Sequence, residues 1–130
     1  MSIIMNNFIK WNPIFPAPKD LYFVNLTDNG GAIDIHLAEM KDDRILILRF
    51  KGVMSYQVTD EGARSRSLYK DPSYRGLVVS DKSDYLNWFH RESQEMFLDW
   101  DLKHYSVGNI NNIIDIISGD EVEVSWQAEV

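Results

Sequence analysis

Leu21-Tyr22-Phe23-Val24-Asn25-Leu26-Thr27-Asp28-Asn29-Gly30-Gly31-Ala32-Ile33-Asp34-Ile35-His36-Leu37 decides the fold class of this chain. Its first seven residues are rich in aromatic and β-branched side chains, which suit a pleated, half-buried surface. Asp28-Asn29-Gly30-Gly31 is a turn signal, because Asn and Gly accept the positive φ of tight hairpin connections. Beyond it Ile33, Ile35 and Leu37 alternate with Asp34 and His36, so one face turns inward and the other to water. The segment reads as a β-hairpin.

More strands follow on its C-terminal side. Lys41-Asp42-Asp43 makes a polar turn, and Ile45 to Phe50 is a near-continuous apolar run suited to a central strand. Gly52 marks a bulge or bend before Val53 to Thr59 resumes. Asp60 to Gly76 is polar, with Arg64, Arg66, Lys70 and Arg75 and a turn at Asp71-Pro72-Ser73, and reads as loop plus a short strand. Leu77 to Ser80 is another short strand. On the N-terminal side, residues 1–18 form an irregular lead-in. Pro13, Pro16 and Pro18 exclude a helix or a central strand there, while Trp11, Ile14 and Phe15 pin it to the body.

The period changes after residue 82. Ser83 is an N-cap, Asp84 suits a helix N-terminus, and Tyr85, Leu86, Trp88, Phe89 and Met96 outline the apolar stripe of a helix over about 83–95. Leu98 to Val107 reads as extended. Asn109 then caps a second helix over about 110–118, in which Ile110, Ile113, Ile114 and Ile117 keep 3-4 spacing and Gly119 is the stop. Val122, Val124 and Trp126 alternate in a last strand. Strands first and helices later define an α+β fold: a curved antiparallel sheet with both helices on one face. At 130 residues the chain is one domain, 1–130.

Composition narrows the function classes. There is no cysteine, which excludes disulfides, thiolate metal sites and thiol nucleophiles. The first residues lack the pattern of a secretory signal and no apolar run approaches a membrane span, so a cytoplasmic protein is expected. Thirteen basic residues stand against twenty acidic ones, a net charge of −7. Residues 1–80 carry ten Lys/Arg and nine Asp/Glu, whereas residues 81–130 carry three and eleven. An acidic C-terminal half argues against nucleic-acid and anionic-membrane partners.

Several strings carry residue types with chemical potential. Asp99-Trp100-Asp101-Leu102-Lys103 would, as a strand, set two carboxylates and a lysine on one face, the material of a metal-dependent hydrolase or nuclease. The ordinary reading is a solvated strand face. Asp34 and His36 share a strand face but need a third partner, and His90 and His104 lie in other elements, so structural use is expected of all three histidines. No serine-nucleophile or phosphate-loop motif is present. No catalytic residue, metal or cofactor is expected. The strongest signal is a surface: Asp81, Asp84, Glu92, Glu95, Asp99 and Asp101 fall within twenty-one residues, interleaved with Tyr85, Trp88 and Trp100. Aromatic anchors framed by carboxylates suit a basic protein partner; the ordinary reading is that the acids are solubilising and that Trp88 and Phe89 belong to the core, which is where those two are expected. A small-ligand module, with the sheet wrapping a pocket lined by Trp11, Phe23 and Trp126, is the third reading.

Phe50-Lys51-Gly52-Val53-Met54-Ser55-Tyr56 leading into Thr59-Asp60-Glu61-Gly62, with Leu102-Lys103-His104-Tyr105 and Asn111 to Ile117, resembles the small acidic immunity proteins of bacterial toxin–immunity systems. These residues cover under a quarter of the chain. The rest of the resemblance lies in length, acidity, aromatic richness and the lack of cysteine. It implies a protein that binds a cognate toxin domain, often a basic nuclease, and blocks its active site or substrate entry. No residue roles carry over with it.

Overall fold

A computed structural model of the chain describes residues 7–42, 44–70 and 76–127. The hairpin read from the sequence is strand β2 (Leu21–Asp28) paired antiparallel with β3 (Ile33–Glu39). Its turn is closed by Asn29 N donating to Ala32 O at 2.8 Å and Gly30 N to Asp28 Oδ1 at 2.9 Å. Gly30 and Gly31 take φ of 73° and 97°, which residues without a Cβ adopt freely. Strand β4 (Ile45–Phe50) pairs with β3 and with the last strand, β9 (Val122–Gln127), giving a sheet in the order β2-β3-β4-β9.

A second sheet takes the remaining described strands: β1 (Ile9–Lys10), β5 (Val53–Asp60), β6 (Leu77–Ser80), β7 (Lys103–Gly108) and β8 (Asn112–Ser118), in the order β1-β6-β7-β8-β5. All described pairings are antiparallel. The two sheets face each other across one apolar core. Ile33, Ile35, Leu37, Leu46, Leu48 and Phe50 come from the four-stranded sheet; Leu77, Tyr105, Val107, Ile114 and Ile116 come from the five-stranded one. The single curved sheet expected from the sequence is therefore two sheets, because both had an apolar face to cover.

The other face of the five-stranded sheet is buried too. Helix α2 (Asp84–Glu92) lays Leu86 and Phe89 against Leu102 and Ile117. A 3-10 turn, Glu61–Arg64, leads into the short helix α1 (Ser65–Lys70), whose Leu68 meets Ile113. The helix expected over 83–95 forms with Ser83 as its N-cap, Oγ accepting Leu86 N at 3.1 Å, but it ends at Glu92, and Met96, expected on its apolar stripe, lies beyond it and exposed. The α+β class holds, and the polar 60–76 stretch supplies its second helix. The Asp71-Pro72-Ser73 turn lies outside the described residues, as does the start of the lead-in; from Trp11 to Asp20 the lead-in is irregular.

The second expected helix, over 110–118, is not a helix. It is the β7–β8 turn followed by strand β8. Ile114 and Ile116 face the core between the sheets, while Ile113 and Ile117 face the helices. A strand buried on both faces loses its period-two alternation, and a short apolar run then mimics helical spacing. Asn109 does the work of a cap, but for a hairpin: its Oδ1 accepts Asn111 N at 2.9 Å and Asn112 N at 3.1 Å. Replacing either Ile114 or Ile117 with Ala is expected to cost about 2–5 kcal/mol in urea denaturation. A strand with a solvated face would show that cost at only one of the two.

Candidate functional site

An acid inside an Ile run needs a partner, since burying a bare carboxylate costs several kcal/mol. Asp115 stands between Ile114 and Ile116 and is 1% exposed. Its Oδ1 lies 2.6 Å from His104 Nε2, and its Oδ2 accepts from Arg64 Nη1 at 2.6 Å and from Gln57 Nε2 at 3.3 Å. His104 Nδ1 lies 2.8 Å from Ser83 Oγ. The rings of Phe8 and Tyr85 close on the imidazole edge-to-face, at 5.0 and 5.1 Å between centroids. Tyr85 Oη and Ser55 Oγ meet at 2.5 Å. The group draws on β5, the 3-10 turn, the α2 cap, β7 and β8.

Electrostatics follow from burial and pairing. Desolvation alone would raise the Asp115 carboxyl; the His104 hydrogen bond and charge, with the Arg64 pair, outweigh it and hold the group below the usual carboxylate range. Burial pushes the Tyr85 phenol up. A cleft of about 290 Å³ opens on this group, lined by Gln57, Arg64, Ser67, Asp84, Tyr85, His104 and Asp115. Ser83, His104 and Asp115 have the residue types of a nucleophile triad. Yet Ser83 is fully buried and its Oγ is already the helix cap, so it presents no hydroxyl to a substrate. These residues hold α2 and the 61–70 segment onto the sheet.

The acidic segment is the opposite case. Asp81, Asp84, Glu92, Glu95, Asp99 and Asp101 are all exposed. Glu39, Asp34 and Glu123 elsewhere are tied to Arg44, Arg49 and Lys51 at 2.7–2.9 Å. By contrast Asp81, Glu92, Glu95, Asp99 and Asp101 make no ion pair or side-chain hydrogen bond among the described residues. Along the same segment Trp88 is 43%, Met96 74%, Leu98 54% and Trp100 54% exposed. Trp88 stacks on Tyr85 at 5.6 Å, and Trp100 sits edge-on to Phe97, which packs on Phe89. Aromatic pairs of this kind hold their outer faces in place. Beyond α2 the chain turns through Gln94 and Glu95 at φ of 53° and 61°, a left-handed conformation unusual for residues with a Cβ.

Asp99 and Trp100 lie in a turn rather than a strand, and β7 begins only at Lys103, so the shared strand face of Asp99, Asp101 and Lys103 is not formed. No group of three His, Asp or Glu among the described residues is placed to hold a metal ion. The histidines do not converge: His36 stands on the outer face of the four-stranded sheet opposite Ile47, and Asp34 pairs with Arg49 instead of with it. Trp11, Phe23 and Trp126 pack onto the core, and Trp11 with Ile9, Val79, Tyr105, Asp81 and Lys103 lines an open cleft of about 480 Å³. No described helix is long and apolar enough to cross a membrane.

The class these features define is a two-sheet α+β domain with a buried His–Asp–Arg clasp and an exposed acidic, aromatic segment. Compared with protein-family models, with curated proteins and with solved structures, the chain matches none.

Asp115→Asn is expected to cost about 3–5 kcal/mol, because it breaks the buried pairing of Asp115 with Arg64 and His104. The sign of the pH effect is fixed by the lowered carboxyl. As pH falls, the unfolded chain takes up this proton first, so the Asp115 contribution is complete above its unfolded value of about 3.9 and is lost as pH falls through the lower folded value. Urea midpoints measured from pH 7 down to pH 2 should show a shallower acid limb for Asp115→Asn than for the wild type; identical limbs would place the acid sensitivity elsewhere.

Proposed function

We propose that this protein is a binding protein of immunity type, which neutralises a basic toxin domain, of nuclease kind, by direct contact through residues 81–101. One observation carries the reading. Five carboxylates in this segment have no partner among the described residues, whereas the acids of the four-stranded sheet are paired, and they surround exposed Trp88, Met96, Leu98 and Trp100. Unpaired exposed acids are the source of a field that steers a basic partner, and aromatic anchors supply the buried contacts once it has docked. Within 81–101 six acids stand against Lys82 and Arg91 alone. The lack of cysteine and the acidic C-terminal half fit the same role inside a reducing compartment, where toxin and inhibitor would be made together.

The test is kinetic. The immobilised chain captures its partner from the native host, and association is followed over a range of salt concentrations. Association should slow as salt rises, since exposed charges are screened beyond about 8 Å at physiological ionic strength. The double variant Glu92→Lys with Asp99→Lys should associate about tenfold more slowly with little change in dissociation. Trp88→Ala and Trp100→Ala should raise the dissociation rate by contrast, each by the equivalent of about 2 kcal/mol. Association indifferent to both salt and charge reversal would remove the acidic face from the reading.

A small-ligand role is favoured by a different observation, the Trp11-lined cleft of about 480 Å³, which falls within the size range of ligand pockets. Under the binding-protein reading Trp11→Ala leaves partner association unchanged; under the ligand reading it abolishes the fluorescence response to a bound compound.

A further inference from the structure

A sheet edge is a row of unpaired N–H and C=O groups, and proteins blunt such rows with short strands, charges, bulges or covering loops. Three of the four edges in this fold are blunted. Strand β1 is two residues long. Strand β2 is covered where the β7–β8 turn reaches it, with Ile110 N donating to Leu21 O at 3.1 Å and Phe23 N to Asn111 Oδ1 at 2.9 Å, and it is bulged just beyond, at Phe23/Asn25. Strand β9 carries Glu123 in its interior and follows Glu121.

Strand β5 is the exception. It is eight residues long, Val-Met-Ser-Tyr-Gln-Val-Thr-Asp, without a charge before Asp60 and without proline. Apart from Val53 N donating to Gly31 O, its backbone bonds run to β8 alone among the described residues. Its pairing with β8 is regular from Ser55 to Asp60. Tyr56 and Val58 share the strand face that Ile116 and Ile114 turn toward the facing sheet, yet stay 36% and 47% exposed, and the Tyr56 hydroxyl donates to Asp28 Oδ2 at 3.1 Å. The edge thus pairs open backbone with uncovered apolar side chains in its middle.

We propose that β5 is a dimerisation edge, which pairs antiparallel with β5 of a second copy about a two-fold axis and joins two five-stranded sheets into one. Only an extended backbone matches a row of alternating donors and acceptors, and a strand is its own antiparallel complement under two-fold symmetry. Charge favours the second copy as occupant. The run Val53 to Thr59 brings no like charges together, and antiparallel pairing sets the Lys51 end of each strand against the Asp60 end of the other. Tyr56 and Val58 of the two copies then cover one another. The inference is independent of the partner-binding role, which uses residues 81–101.

The full chain is examined by sedimentation velocity from low to high micromolar concentration. The weight-average mass should rise from one chain to two, and Val58→Lys should hold it at one chain with an unchanged circular-dichroism melt. Because the chain lacks cysteine, single substitutions add a second readout that does not depend on the lysine variant folding. Under mild oxidation a scan of Tyr56→Cys, Gln57→Cys and Val58→Cys should give cross-linked dimers at the one position that lies on the two-fold axis, since only there does a residue face its own copy within the Cα separation of about 4.4–6.8 Å that a disulfide spans. Ser125→Cys, on the β9 edge, should not. A single-chain mass at every concentration overturns the proposal, and so does a dimer that survives Val58→Lys or that cross-links through Ser125→Cys in place of β5.

Discussion

The buried carboxylate of Asp115 is the constraint on which the helical side of this protein depends. It sits in the middle of a strand with Ile on either side, and its ionised form is tolerable only because His104 and Arg64 reach it at 2.6 Å. Each partner arrives from a different element. Arg64 brings the 61–70 segment down onto the sheet, and His104 passes the contact to Ser83, which is at once its hydrogen-bond partner and the cap of α2. The position of α2, and so the presentation of Trp88 and of the turn beyond it, is fixed through three hydrogen bonds from one strand residue. Such a cluster adds little net stability over an apolar replacement, but it allows few alternative dockings of the two helical segments.

Charge is divided in the same spirit. The basic residues between 44 and 64 are largely consumed within the fold: Arg44 on Glu39, Arg49 on Asp34, Lys51 on Glu123, Arg64 on Asp115. Two of those acids, Asp115 and Glu123, come from the acidic C-terminal half. The imbalance seen along the sequence is therefore partly settled in three dimensions, and what remains unsettled is concentrated at 81–101.

Much of the fold was legible where one face of an element meets water. The β2–β3 hairpin, its Gly30-Gly31 turn, the alternating β9 and the Ser83-capped helix all announce themselves by period and punctuation. Legibility failed where both faces are buried. Ile113, Ile114, Ile116 and Ile117 satisfy helical and strand templates alike, and only the β-branched character of Ile and the brevity of the run favoured a strand. The same run held an unread clue: an Asp within it demands a buried cationic or imidazole partner, and His104 was available. The partner contributed by Arg64 was invisible, because its proximity arises from the β5–β8 pairing over some fifty residues of chain. The exposed acids were placed correctly on the surface by composition, whereas the common strand face of Asp99, Asp101 and Lys103 failed because the chain stays in a turn until Asp101.

The strand order has a temporal consequence. β4 supplies Leu46, Leu48 and Phe50 to the core, and its second neighbour, β9, begins seventy-two residues after it ends. At roughly 5–20 residues per second on the ribosome, β4 waits on the order of ten seconds for that neighbour. Throughout that interval the nascent chain displays an unpaired, strongly apolar strand edge that its own later sequence will close. Synthesis of this small domain is thus a period of exposure to chaperones and to other nascent chains, and its final strand is the element that ends it.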